Sequence, residues 1–447
     1  MQVPFARESY LSQIPINWYP ALDTDKETIL MGAPGLSEII TLSPGLSVRG
    51  LKSAGGFLYA VCGSSVYKIS SSFAVTSLGT ITTTTGPVWI EYNGVQVCFV
   101  DGLAAWVYTI SSGAFAQITD VDFPGAKALT YQDGYGAFIV PDTGQFYLTA
   151  LYDFSDITST DYASAEGWPD DLVSIIMSYR ELWLFGADTI EVWYNAGSSP
   201  FPFARVQGGF IEQGCAASAS VAKGDNMVYW LSSGRQVMRA QGYQPQIIST
   251  RKLEREFDNL TTINDAIGFI QVFEGHTFYW LTFPTENVTY CFDASTQVWH
   301  RRASWPDNGR HRANCYAYFA GKHVIGDYLT GRLYAMDRDY YSDDGKELIA
   351  VTEAPEIRGE GKRQFFGGLE LQFRRGNVSH TVDPQAMLRY SDDGGNVWST
   401  ELWSPLGNLG DYRTRTIWRR LGSSYNRIFR VAISDPVCRD LLSVNWI

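Results

Sequence analysis

One repeat constrains this chain more than any other feature. Short apolar strands, most of them behind a glycine turn, recur as GGFLYAVCG, NGVQVCFVDG, DGYGAFIVPD, RELWLFGAD, GDNMVYWLSSG, EGHTFYWLTF and GKHVIGD. Measured between Tyr59, Phe99, Phe138, Trp183, Tyr229, Tyr279 and Ile325, the spacings are 40, 39, 45, 46, 50 and 46 residues. After a polar turn each strand is followed by a second aromatic-rich one: SVYKI, WVYTI, QFYLTAL, TIEVWYN, RQVMRA, VTYCFD and RLYAMD. Asn93-Gly94 and Asp133-Gly134 are hairpin signals, because both central residues of a type I′ turn need positive φ. A unit of this size holds about four short antiparallel strands, one propeller blade. A chance series of sandwich strands is the alternative, and it leaves the shared period unexplained.

The expectation is an all-β protein: a β-propeller of six or seven four-stranded blades over residues 46–345, followed by a C-terminal β-sandwich over 346–447. The seventh unit, GKHVIGDYLTGRLYAMD, is the weakest and decides between six and seven. Residues 1–45, with QIPINWYPALD and its prolines, do not fit the repeat; they read as an arm or edge strand that closes the ring on the last blade. TRKLEREFDNL (250–260) is the best helical pattern.

Composition supports strands. The chain has 26 Tyr, 24 Phe and 14 Trp with 42 Gly, which suits pleated half-buried surfaces and tight turns. Six cysteines (Cys62, Cys98, Cys215, Cys291, Cys315, Cys438) stand far apart, which predicts buried thiols made in a reducing cytoplasm. The start, MQVPFARESY, lacks the pattern of a signal peptide, and no apolar run reaches the roughly 20 residues that span a bilayer. Charge is uneven. Residues 351–447 carry 13 Lys+Arg against 11 Asp+Glu, whereas the other 350 residues carry 22 against 36. A body at −14 has no generic electrostatic footprint for phosphate, which argues against a conventional DNA-binding protein.

Two features invite a functional reading. RYSDDGGNVWS (389–399) fits S-x-D-x-G-x-x-W through Ser391, Asp393, Gly395 and Trp398, the Asp-box hairpin of sialidase-type propellers. Its residues have a structural role, in which the Asp bonds turn backbone, Gly supplies positive φ and Trp packs beneath. There is one full match, outside the repeat, so it reads as a turn staple. Second, Arg413, Arg415, Arg419, Arg420, Arg427, Arg430 and Arg439 crowd the last 35 residues, joined by Arg374 and Arg375. Alternation in RTRTIWRR places Arg413 and Arg415 on one strand face. A solvated face is one reading of this set, a docking face for an acidic partner such as another copy's acidic propeller is the second, and phosphate binding is the third. The five histidines show no metal spacing, and WHRRASWPDNGRHR (299–312) reads as a basic surface loop. Asp170/Asp171 and Asp343/Asp344 read as solvated turns. No Walker loop, nucleophile elbow or H-E-x-x-H occurs, so no catalytic, cofactor or metal site is predicted.

Four stretches in order resemble the packaged-DNA stabilisation proteins of short-tailed double-stranded DNA phages, also described as tail hub, nozzle or tail accessory factor. They are QIPINWYPALDTDKE, RELWLFGADTIEVWYNAG, IEQGCAASASVAKGDNMVYWLS and RRLGSSYNRIFRVAISDPVCRDLLSVNWI. The resemblance implies a virion tail component and no enzyme: a homohexameric ring below the portal and its adaptor or head-completion protein. It further implies a tail needle or plug, a tailspike or tail fibre, and double-stranded DNA passing through the channel without sequence-specific contact. The competing expectation is a carbohydrate-active, sialidase-like or glycan-binding propeller.

Overall fold

The computed structural model describes residues 14–22, 28–165, 167, 169–199, 201–359, 361–374, 383–411 and 413–447. It is almost entirely β. Seven sheets have four strands each. Six follow in chain order over residues 48–80, 89–117, 129–164, 172–211, 222–247 and 267–301. The seventh takes strands Ala313–Phe319, Lys322–Asp327 and Arg332–Asp337, and its fourth strand is Gly35–Thr41 from the chain's beginning.

The anchors explain the sheets. Tyr59, Phe99, Phe138, Trp183, Tyr229, Tyr279 and Ile325 all fall on the second strand of a sheet, each at most 4% exposed. The second aromatic series falls on the third strand. A strand covered on both faces has no reason to alternate, which is why these read as continuous apolar runs. Of the two hairpin signals, Asp133-Gly134 holds, with both residues at positive φ (50° and 96°) as a type I′ turn requires, whereas at Asn93-Gly94 only Gly94 (101°) does, so that turn is of another type. The one α-helix among the described residues, Arg251–Asp258, begins where Thr250 Oγ1 accepts from the Leu253 N–H and buries Leu253 and Phe257.

The described chain divides into two compact units. The first comprises 38–287 and 312–335. In it, the innermost strands touch in succession, from Val48–Ala54 through each following sheet to Ala313–Phe319, which returns to Val48–Ala54. A closed circuit of sheets in radial contact is a seven-bladed β-propeller, and the two outer strands of its sixth sheet, Val288–Asp293 and Val298–Arg301, group with the second unit. Clusters such as Tyr59, Phe99, Trp106 and Tyr108 lie between adjacent blades, where neighbouring sheets cover each other's faces. Closure is made by the early strand: the Leu42 N–H donates to Gly331 O (2.8 Å), and Arg332 pairs with Glu38 at 3.1 Å.

The second unit comprises 1–37, 288–311 and 336–447. It contains a five-stranded sheet in the order Trp18–Leu22, Thr28–Gly32, Leu441–Trp446, Gly368–Phe373, Thr416–Arg419. A second sheet runs Ala350–Glu353, Asn426–Ile433, Gln385–Ser391, Leu402–Pro405, with Ile357–Arg358 also on Asn426–Ile433. Trp18, Leu30, Leu369, Leu371, Leu388, Trp418, Phe429 and Leu441 form their shared core. Fully burying side chains of this size contributes about 1.5–3 kcal/mol each. The early segment thus divides: 18–32 joins the C-terminal sandwich, and only 35–41 joins a blade. Trp18 shows why, since its ring is 0% exposed in the sandwich core and its Nε1–H donates to Arg439 O at 2.7 Å.

Candidate docking face of the C-terminal sandwich

The strand Asn426–Ile433 organises the site. Its period-two pattern puts Arg427, Phe429, Val431 and Ile433 toward the core, with Arg430 and Ala432 partly exposed. Arg427 is accordingly inside. Its guanidinium lies 4.1 Å from the Tyr390 ring centroid and 4.6 Å from that of Phe366. It donates twice to Asp392 (2.6 and 2.8 Å) and once to Leu421 O. A fork fixed by two carboxylate oxygens and sandwiched by aromatic faces is a core fixture. This corrects its expected place on a docking face.

Arg430 is held at its base. It pairs with Glu353 at 2.5 Å and stands 4.0 Å over the Trp398 ring. Arg439 is also internal: it donates to Leu348 O and Tyr341 O, and burial lowers its pKa to about 10. Arg374 meets Asp440 at 3.4 Å and is half exposed. Arg375 lies outside the described residues. Arg415 makes a fork to Glu370 (2.7 and 2.6 Å), whose hydrogen bonds and charge raise the guanidinium pKa.

Arg413 and Arg415 do not share a strand, because the strand they were expected to begin spans only Thr416–Arg419. Arg413, Arg419 and Arg420 are exposed, and no ion pair engages them among the described residues. Of the arginine set, these three remain as open charge.

The Asp-box motif closes the turn between Gln385–Ser391 and Leu402–Pro405. Ser391 Oγ–H donates to Asp393 Oδ1 (2.7 Å) and accepts from the Gly395 N–H (2.9 Å); Asp393 Oδ1 also accepts from the Val397 N–H (2.9 Å). Gly395 has φ +96°. The Val397 N–H and Ser391 hydroxyl hold the Asp393 carboxyl below its ordinary pKa of 3.8. These oxygens hold backbone or a neighbouring side chain, an arrangement suited to shaping a turn. Trp398 supplies the floor under Arg430.

Other polar candidates are internal as well. His300, Arg302, Arg310 and His311 are buried, so 299–312 is a packed hairpin rather than a surface loop. Asp343 is 0% exposed and accepts from Ser304 Oγ (2.9 Å), which corrects the expectation of a solvated turn. Asp170 accepts from the Asp188 and Thr189 N–H groups (2.8 and 3.0 Å). All six cysteines are free thiols, and burial pushes Cys62 and Cys215 up to about 11, away from reactive thiolate. Among the described residues no group of His, Cys, Asp and Glu could hold a metal, and no helix is long and apolar enough to cross a membrane.

Sequence reasoning missed part of the face. Phe365 is 81% and Tyr425 58% exposed, beside Lys362 and Arg363. The signal was KRQFF at 362–366, where alternation sends one Phe inward and the other out.

Fold and face together define a β-propeller protein with an appended β-sandwich that carries basic charge on its surface. The chain belongs to the bacteriophage P22 Gp10 family: the family's β-propeller matches residues 2–341 and its β-sandwich residues 351–445. It is thereby a phage tail structural protein that stabilises packaged DNA. No curated protein matches the chain. Among solved structures, it is similar to the WD40 β-propeller domain of Doa1, at 10% identity and TM-score 0.44, covering 68% of this chain and 98% of that one. The Neurospora crassa Pan2 WD40 domain gives 7% identity and TM-score 0.43, over 65% and 89% of the two chains. PorZ, a surface component of the Porphyromonas gingivalis type-IX secretion system, gives 12% and 0.39 over 82% of this chain but only 46% of its own.

Proposed function

We propose that this chain forms a homohexameric ring in the virion tail, below the portal and its adaptor, that retains packaged DNA sterically and conducts it at ejection. The family match across both domains carries this reading. In it, the propeller (46–345) builds the tube and the sandwich (346–447) carries contacts to neighbours, among them a tail needle or plug and a tailspike or fibre. The acidic propeller-containing part supports the reading, because a wall that repels phosphate lets a duplex slide without adhering. No covalent step is required of it. The glycosidase reading loses its motif, since the Asp-box residues are engaged in their own turn.

Quantitative peptide mass spectrometry of purified particles tests the ring. One copy for every two portal subunits is expected. Absence from particles would overturn the proposal, and turnover of chromogenic glycosides would revive the enzymatic alternative.

A further inference from the structure

Two exposed surfaces of this chain match each other in chemistry. The first is a ribbon of the sandwich, where 364–368 runs antiparallel to 419–424. Phe365 pairs with Ser423, the Phe366 N–H donates to Gly422 O (2.8 Å), and the Arg420 N–H donates to Gly367 O (2.8 Å). Its outward side chains are Lys362, Arg363, Phe365, Arg419, Arg420 and Tyr425, all exposed. Residues 361–368 and 419–426 carry four cations and no acid, and Glu360 precedes them in sequence, so the ribbon with its flank is +3 around two aromatic rings. The wider segment 412–434 holds six arginines and no carboxylate.

The second surface is a cluster of turns on blades two, three and four. Tyr131 Oη–H donates to Asn93 O (3.5 Å), Gln96 Nε2–H to Asp153 (3.0 Å), the Tyr152 N–H to Gly134 O (2.8 Å), and Arg180 to Asp133 (3.0 Å). These bonds bring together the turns that carry Val95, Leu151, Tyr152 and Tyr179, each more than half exposed. Asp153 and Asp156 rim them, while Arg180 offsets Asp133. Residues 128–179 carry eight acidic groups and no Lys or Arg.

A contiguous exposed apolar patch with a charged rim marks a protein contact. Here one chain presents an aromatic patch with a basic rim and exposed apolar residues with an acidic rim. We propose that the 361–365/419–425 ribbon of one copy docks on the Tyr152 turn cluster of a second copy. The contact is heterologous, joining different surfaces on the two partners, which generates a ring when the rotation closes. This rests on the tail-ring reading and names the surfaces that build it. Phe365 and Tyr425 supply the apolar anchor, and the four cations set orientation against Asp153 and Asp156.

Disulfide capture in purified particles tests the contact. A chain carrying both Tyr152→Cys and Phe365→Cys should give a ladder of covalent oligomers on a non-reducing gel after mild oxidation, and each single variant should give none. Assembled particles without a ladder, or with a bond confined to one chain, would overturn the proposal. The paired variant Arg419→Glu/Arg420→Glu should cut incorporation into particles about tenfold or more, by like-charge juxtaposition at the contact. Normal incorporation overturns the docking. Normal incorporation with loss of packaged DNA assigns the ribbon to phosphate and overturns it equally. If the wild-type chain is missing from particles, the tail reading fails first; the ladder is then read on concentrated purified chain, which keeps the two failures apart.

Discussion

Residues 128–179 and 412–434 each carry charge of one sign, yet they handle it differently. In the acidic segment several carboxylates are satisfied locally by backbone and hydroxyl donors: Asp153 by the Ser155 N–H and hydroxyl (2.9 and 2.6 Å), Asp170 by two N–H groups of the 188–189 turn. A carboxylate accepts, and turns are full of unpaired donors, so a chain can fold around many of them without counter-ions. A guanidinium only donates. The arginines of 412–434 must therefore find carbonyls or carboxylates elsewhere in the unit, and Arg427, Arg430 and Arg415 do so at Asp392, Glu353 and Glu370. Those left over, Arg413, Arg419 and Arg420, are exposed because the described unit offers them no acid. Unmatched arginine is thus a better pointer to an outside partner than unmatched aspartate.

The comparison breaks most readily at Arg427. Replacing Arg427 by Ala removes a buried fork and leaves a void among Phe366, Tyr390 and Phe429. A loss of about 2–3 kcal/mol is expected in urea unfolding, moderated because Asp392 is partly exposed and can rehydrate. Arg427→Lys should recover little, since an ammonium neither forks nor stacks. A loss below about 0.5 kcal/mol would put Arg427 among ordinary surface residues. Asp170→Ala should cost less, about 1 kcal/mol, because the released N–H groups near the surface can take water.

Smaller still is a pH effect in the Asp-box turn. The Val397 N–H and Ser391 hydroxyl depress the Asp393 pKa in the folded chain, so its contribution is fully present above 3.8 and fades as pH falls through the lower folded value. The stability difference between wild type and Asp393→Asn should be constant at neutral pH and shrink below pH 3.8. A difference that stays flat to lower pH would deny the carboxylate this role.

What could be read from the sequence follows the range of the interactions. Tyr59 through Ile325 announced the blades because each blade is a local meander whose burial repeats at one period. Ser391 and Asp393 announced a turn because their bonds span two to four residues. The joining of Trp18–Leu22 and Thr28–Gly32 to a sheet with Leu441–Trp446 has no such trace, since partners some 400 residues apart leave no local pattern. Arg427 lies between. Its alternation with Phe429 and Val431 placed it on the inner face, but a cluster of seven arginines draws the eye to charge before periodicity. Asp392, its partner, sits inside the Asp-box motif and so looked like part of the turn.

The least visible change should be the most informative about the open charges. Arg419→Glu with Arg420→Glu alters two side chains that touch no acid in the described unit, at the end of the strand Thr416–Arg419. Arg420 has φ +58°, a left-handed position that Glu tolerates no better and little worse. The isolated chain should therefore unfold at the wild-type urea midpoint, within about 0.5 kcal/mol. Arg427→Ala moves the midpoint while Arg419→Glu/Arg420→Glu does not, although all three arginines lie within a few residues. A clear destabilisation by the charge reversal would mean that these arginines hold the sandwich itself together. The contrast between matched and unmatched arginine would then fail at its outer edge, and with it the reason for seeking the ribbon's partner in another copy.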